Sequence, residues 1–299
     1  YATSFGVSTV PDKYKKKYKK FLNRINYLST REESGVKLIE QLSDNRATLV
    51  CDPTLWLNKE EWMDIQQKEP IIKEKYILCY FLGKNINHRK FAERLKERTG
   101  CKIVSLNHAD EYVRYSDKFC DYAPYDIGPA EWINLIRNAE YVCTDSFHGT
   151  VFSLINNTKF FTFERYNNKD SKVSTNSRIY SLLGIVDLKE RILNGTENVD
   201  NAIKMQINFD NVEAKLSEFR NLSKNFLKKA LSWWENNMKR KKNINRCLNV
   251  VKAICCISVV LMHSPFPSKI GNIVVYMLKF AVPVFFWFQD IILIVKIRM

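Results

Sequence analysis

A chain of 299 residues in which 47 lysines and arginines face 32 aspartates and glutamates, for a net charge of +15, is long enough for two ordinary domains and favours anionic partners without naming the anion. Nothing resembles a groove-reading helix or an RNA-stacking motif, so nucleic acid is not an expected partner. The eight cysteines form no CxxC pair and have no histidines at zinc-ligand spacing. Several, among them Cys79, Cys143 and the adjacent Cys255 and Cys256, fall in apolar runs where cysteine acts as a small hydrophobe. The pattern implies a reducing, cytoplasmic main body, and no metal is expected: scattered carboxylates such as Asp52, which shapes a turn before Pro53, lack the clustering of a cation site.

Tyr1 to Val10 begins strand-like and breaks at Gly6. Pro11 and the run Lys13 to Lys20 open a polar helix whose six lysines are a solvated face or a contact for acidic lipid or glycan. Ile25 to Leu28 predicts a short strand, Ser29 or Thr30 a helix cap, and Val36, Leu38, Ile39 and Leu42 one buried helix face. Thr48 to Cys51 reads as another strand, stopped by Asp52 and Pro53, and the charged stretch from Lys59 to Ile72 reads as an interdomain connection.

From Tyr76 the alternation is clearer. Tyr76 to Leu82 is an apolar strand, followed by a helix ending at Gly100, a strand from Lys102 to Leu106, and a helix with Pro129 at its first position and Trp132, Ile133, Ile136 and Ala139 on one face. Lys159 to Phe163 is a further strand, and Asn211 to Trp234 a long amphipathic helix. Strand and helix in alternation argue for a parallel sheet with right-handed crossovers, hence an α/β fold.

The stretch Tyr141 to Ile155, YVCTDSFHGTVFSLI, joins a buried strand to a helix through Thr144 to Thr150. In open α/β sheets ligands bind at that edge, because free amides and the helix dipole favour an anion. Asp145 and Ser146 either serve such a site or merely cap the helix. His148 is either a functional imidazole or a satisfied polar residue.

The run Gly128 to Glu140, GPAEWINLIRNAE, leading into CTDSFHGTVFSLI, resembles the signature of the polysaccharide pyruvyltransferase family. The resemblance continues in Tyr1 to Gly6, Ser29 to Gly35 (STREESG), Cys51 to Leu55 (CDPTL) and Ser177 to Leu183 (SRIYSLL), and so covers Tyr1 to Trp234. It implies two Rossmann-like domains in a glycosyltransferase-B-like arrangement, the first (residues 1–70) incomplete because the family begins with an earlier strand and glycine-rich turn, the second spanning residues 71–238. The implied reaction moves a pyruvyl group from phosphoenolpyruvate to two hydroxyls of a lipid-linked or polymeric glycan, without a cofactor. His148 would be the acid/base. Ser146, Gly149 and Thr150 would meet the donor's anionic groups, Arg31 and Arg178 would clamp them from flanking motifs, and Asp145 would orient His148 or cap the helix. Better-studied branches carry an arginine where this chain has Ser146. A nucleotide-sugar glycosyltransferase, or an inactive remnant that only binds glycan or a partner, are the alternatives.

The tail, residues 239–299, changes character. The basic block Lys239 to Arg246 precedes the apolar runs Cys247 to Met262 and Ile270 to Ile297, which predict one or two transmembrane helices with the main body on the cytoplasmic face of the inner membrane. The segments around Asn249 to Ile254, Val259 to Ser264 and Phe280 to Phe286 resemble the opening of a membrane sugar acyltransferase, with His263 at that family's essential histidine. A single-base deletion in codons for the family's FMVSGYY produces the Phe286 to Asp290 run, so a frameshifted, inactive fragment is expected.

Overall fold

The computed structural model describes residues 1–66, 69–106, 113, 115, 118–165 and 176–238. Contacts divide the chain into one unit from Ala2 to Leu227 and a second made of Tyr1 and Lys228–Met299. The basic block after Lys239, the two apolar runs and His263 lie outside the described residues. Among the described residues no helix is long and apolar enough to cross a membrane.

The larger unit is α/β with two parallel sheets. The first pairs β1 (Leu28–Thr30) with β2 (Ala47–Leu49), and α1 (Asp12–Leu22) and α2 (Glu33–Leu42) flank it. Leu38, Ile39 and Leu42 of α2 meet Val10, Leu22 and Leu28 in its core. The strand expected at Ile25 to Leu28 thus starts where that stretch ends, and the two residues expected to cap α2 lie within the strand. The residue before α2 is Glu32, and it makes no side-chain cap. Its buried carboxylate instead accepts the N–H groups of Phe5 (2.8 Å) and Gly6 (3.1 Å), pinning the chain's opening segment, which meets β1 through a parallel bridge from Thr3 to Thr30 and through bonds from the Ala2 N–H and the Thr3 hydroxyl to Ser29. A short α3 (Lys59–Met63) follows, closed by a reciprocal cap between Asn58 and Glu61.

The second sheet has five strands, all parallel, in the order β4 (Lys102–Ser105), β3 (Tyr76–Tyr80), β5 (Tyr141–Thr144), β6 (Phe160–Phe163) and β7 (Ile192–Leu193). Strands covered on both faces read as continuous apolar runs, and alternate residues of β3 show where each face goes. Tyr76 and Leu78 join a core with α5 (Pro129–Asn138), α6 (Phe147–Ile155), α7 (Ser177–Ile185) and α9 (Phe209–Met238). Ile77 and Cys79 join the opposite core with α4 (Ile86–Thr99) and α8 (Val199–Lys204). Gly100 ends α4 at φ 72°, the left-handed conformation that terminates helices.

The chain leaves β3 for one edge and returns through α5 to β5 on β3's other side. The carboxyl ends of these two neighbouring strands therefore form the sheet's switch point, where open α/β sheets bind ligands.

Candidate functional site

The turn after β5 is fixed by hydroxyls. Thr144 Oγ1 donates to the carbonyl of Tyr80 (2.6 Å) and accepts the N–H of Ser146 (3.0 Å), so the turn is tied to the adjacent strand before α6 begins. Ser146 caps α6 by accepting the N–H of Gly149 (3.4 Å). A Cβ on Gly149 would stand 2.5 Å from Thr144 Oγ1, so only glycine lets the helix start this close to the strand. Thr150 donates its hydroxyl to the carbonyl of Ser146 and pairs with Thr162 Oγ1 at 2.8 Å, inside the core. The parts expected of Ser146, Gly149 and Thr150 as anion contacts are thus taken up internally. The helix-start amides left without a bond to the described residues are those of Phe147 and His148.

Asp145 serves neither of its expected parts. Its buried carboxylate accepts the N–H groups of Leu82 (2.7 Å) and Gly83 (2.8 Å), stapling the loop after β3 to the turn after β5. Burial raises its pKa despite those bonds and the nearby Arg165 and Arg89. The carboxylate that faces His148 is Asp52, 3.9 Å from Nε2, outside hydrogen-bond reach but close enough to feel the imidazole's charge.

Asp52 is buried, and its oxygens accept from Arg31 (2.5 Å), the N–H of Thr54 (3.0 Å) and the Thr54 hydroxyl (2.7 Å). Burial opposes its charge, but Arg31, His148 and Thr54 together hold its pKa below the ordinary carboxylate value. Arg31 therefore pairs with Asp52 rather than with its sequence neighbours Glu32 or Glu33. On its other side the Arg31 guanidinium lies 5.5 Å from the ring centre of Phe147, and Arg178, from the second position of α7, lies 5.7 Å from the same ring. His148, next in sequence, is 46% exposed. Desolvation lowers its pKa, Asp52 opposes that, and Arg31 and Arg178 lower it further. The structure thus brings together His148, Arg31 and Arg178, which are far apart in sequence, around one helix start.

Two neighbours were not singled out by the sequence as site residues: Asp52, read there as a turn residue, and Arg165. Arg165 follows β6; its guanidinium donates to the Asp145 carbonyl (3.2 Å) and its methylene stem would be 2.9 Å from a Cβ on Gly83. The Nε atoms of Arg31, Arg165 and Arg178 are all buried without a hydrogen-bond partner among the described residues. That of Arg165 lies 3.8 Å from the Asp145 carboxylate, and guanidiniums gathered in this way suit a ligand rich in acceptor oxygens. Among the described residues no three His, Cys, Asp or Glu side chains gather as they would around a metal ion.

A cleft of about 390 Å³ opens between α2 and α7, lined by Glu33, Ser34, Lys37, Ser177, Tyr180 and Ser181 among others. It adjoins Arg178 along α7 but does not include His148. Its wall is the contact between Ser177 and Glu32 (3.4 Å) and the bond from the Glu33 N–H to Ser181 Oγ (2.9 Å).

A family model described as polysaccharide pyruvyl transferase matches residues 1–167, which carry β1 to β6 and the turn at His148. No curated protein matches the chain. Among solved structures, similarity is found to UDP-GlcNAc 2-epimerase from Neisseria meningitidis bound to UDP-GlcNAc, at 12% identity over 60% of this chain and 59% of that one with a TM-score of 0.37. It is also found to the wall teichoic acid polymerase TagF, at 14% identity over 76% of this chain and 62% of that one with a TM-score of 0.41. The chain thus spans less than two thirds of either protein's length.

Proposed function

The chain belongs to the polysaccharide pyruvyl transferase family, and on that premise we propose that it transfers a pyruvyl group from phosphoenolpyruvate to a glycan sugar, with His148 as the proton carrier. The observation that carries this reading is the convergence of Arg31, Arg178 and the half-exposed His148 on Phe147 at a helix start. Phosphoenolpyruvate bears a carboxylate and a phosphate on one small carbon frame, and the planar fork of a guanidinium matches both.

In the reaction, one sugar hydroxyl attacks the enol carbon that carries the phosphate. The neutral imidazole of His148 takes the hydroxyl proton and returns it to the enol methylene, which becomes the methyl group. A second hydroxyl then displaces the phosphate, which leaves carrying that hydroxyl's proton as hydrogen phosphate, and the cyclic ketal closes. The lowered pKa of His148 keeps the ring neutral near pH 7 for the first step, and an anionic donor between Arg31 and Arg178 would offset their charge and raise that pKa once bound. Asp52 stabilises the imidazolium that forms in between. The acceptor would lie along the cleft between α2 and α7, where serine hydroxyls and carboxylates suit sugar hydroxyls. Residues 1–70 and 71–238 would then be the two lobes of a glycosyltransferase-B-like enzyme.

A nucleotide-sugar glycosyltransferase is disfavoured by Asp145, whose carboxylate already occupies the two amides at the switch point that a diphosphate would use. The test is a pair of measurements on the full chain. Phosphoenolpyruvate should raise the melting temperature where UDP- and GDP-sugars do not, and incubation with lipid-linked glycan should release phosphate as the glycan gains a pyruvyl ketal. Stabilisation by the nucleotide sugars alone, with no phosphate released, would overturn the reading.

A further inference from the structure

Helix α1 meets the rest of its unit along one edge, through Leu22 in the core and the contact of the Tyr18 ring with Phe5 at 6.0 Å. Ten of its residues face solvent and only Leu22 is buried. Tyr14, Tyr18 and Phe21, spaced i, i+4 and i+7, share one side and are 46%, 37% and 47% exposed. Aromatic residues at such exposure on one helix stripe need an explanation that scattered surface hydrophobes do not.

Lysines border the stripe on both sides. Lys15 is held by Asp12 and Lys19 by Asp44, which leaves Lys13, Lys16, Lys17 and Lys20 without an ion pair among the described residues. Asp12 and Asp44 are thus each already engaged with a lysine of the helix. Asn23 donates to Asp44 as well, so the side of α1 that turns toward α2 is neutralised while the other side stays cationic.

We propose that α1 is a docking helix for an anionic lipid bilayer, lying in the plane of the headgroups with Tyr14 and Phe21 inserted and the four unpaired lysines on the phosphates. The choice of partner follows from two features that a bilayer surface meets together. A soluble polyanion would satisfy the lysines but leave the aromatic stripe in water, and an apolar protein groove would cover the aromatics but bury unpaired charge. A bilayer interface offers apolar depth and a sheet of negative charge at once. Docking there would hold the half-exposed site of a glycan-modifying enzyme close to membrane-borne substrates, yet the proposal does not depend on that activity.

The test reads the helix itself, so that binding by other parts of the chain does not obscure it. The full chain is treated with a lysine-acetylating reagent, alone and with vesicles of phosphatidylcholine or of phosphatidylcholine with phosphatidylglycerol, and each lysine's rate is followed by mass spectrometry. Anionic vesicles should slow acetylation of Lys13, Lys16, Lys17 and Lys20 by about tenfold or more, neutral vesicles should not, and Lys96 and Lys159 should react equally throughout. Replacing the four lysines by glutamine should weaken binding to anionic vesicles by about fivefold per lysine, and Tyr14→Ser with Phe21→Ser should abolish most of the protection while leaving the helix folded by circular dichroism. Equal rates with and without anionic vesicles would overturn the proposal. So would equal protection by neutral vesicles, or protection by a soluble acidic polysaccharide that anionic vesicles do not reproduce.

Discussion

Two aspartate–histidine pairs flank the turn between β5 and α6 at the same separation, 3.9 Å. In one, His148 and Asp52, the ring is half exposed and two guanidiniums stand beside it. In the other, His88 and Asp145, both side chains are fully buried; His88 stacks on Phe163 at 4.7 Å between ring centres, and neither ring nitrogen has a hydrogen-bond partner among the described residues. Burial, with Arg89 nearby, pushes the His88 pKa down to about 3, so this ring stays neutral and acts as packing. The carboxylates divide in the same way: burial wins at Asp145 and raises its pKa, while at Asp52 the surrounding cations and donors win and lower it. Equal separation thus accompanies opposite environments. Exposure and the balance of charge distinguish the two pairs.

The comparison is sharpest at the histidines. His148→Gln should cut pyruvyl transfer by about a thousandfold, the scale of a lost acid/base group, while the melting temperature stays near wild type. His88→Phe should keep activity within a few fold and leave stability unchanged or slightly higher, because two unpaired buried nitrogens disappear; phosphate release and thermal melts check both. At the aspartates the effects should exchange. Asp145→Ala should cost about 3 kcal/mol of stability, since two buried amides lose their acceptor, measurable by urea unfolding. Asp52→Asn should leave the fold in place and lower kcat/KM by about tenfold, a loss of roughly 1.4 kcal/mol in the transition state.

The fold was largely legible in the sequence where local pattern decides it. The apolar runs at Tyr76 and Lys159, Pro129 at a helix start and Gly100 at a helix end all mark elements that form there. The short strand near Leu28 was less legible, because Ser29 and Thr30 suit a cap as well as a strand and the bridge from Thr3 decides the matter. The site was legible only in part, for the same physical reason. His148 stood out by residue type and Arg31 through the family resemblance of its STREESG segment, but which carboxylate meets which ring depends on contacts between segments 63 to 96 residues apart, such as Asp145 with Leu82 and Asp52 with His148. Ser146, Gly149 and Thr150 looked like ligand contacts because hydroxyls and amides at a helix start serve equally to bind an anion or to close the helix. Arg165 gave no local signal at all; its place follows from the approach of Gly83 to Asp145.

Smaller effects refine the contrast. Because Asp52 raises the His148 pKa while desolvation and the arginines lower it, the acid limb of kcat/KM should lie below about pH 6.5 in the wild type and move lower still in Asp52→Asn. Stability should show the aspartate's own sign. A folded pKa below the unfolded value means that Asp52 contributes fully above about pH 4 and that this contribution fades as pH falls through the lowered folded value. The difference in melting temperature between wild type and Asp52→Asn should therefore shrink only in that acid range.

The most direct test is a histidine NMR titration of the labelled full chain with and without phosphoenolpyruvate, the resonances assigned by His148→Gln and His88→Phe. Saturating donor should shift the His148 ring signals and raise its pKa, while His88 stays neutral down to about pH 4 in both states. A His148 signal indifferent to phosphoenolpyruvate, or a His88 that titrates near an ordinary imidazole value, would contradict the division of labour between the two pairs.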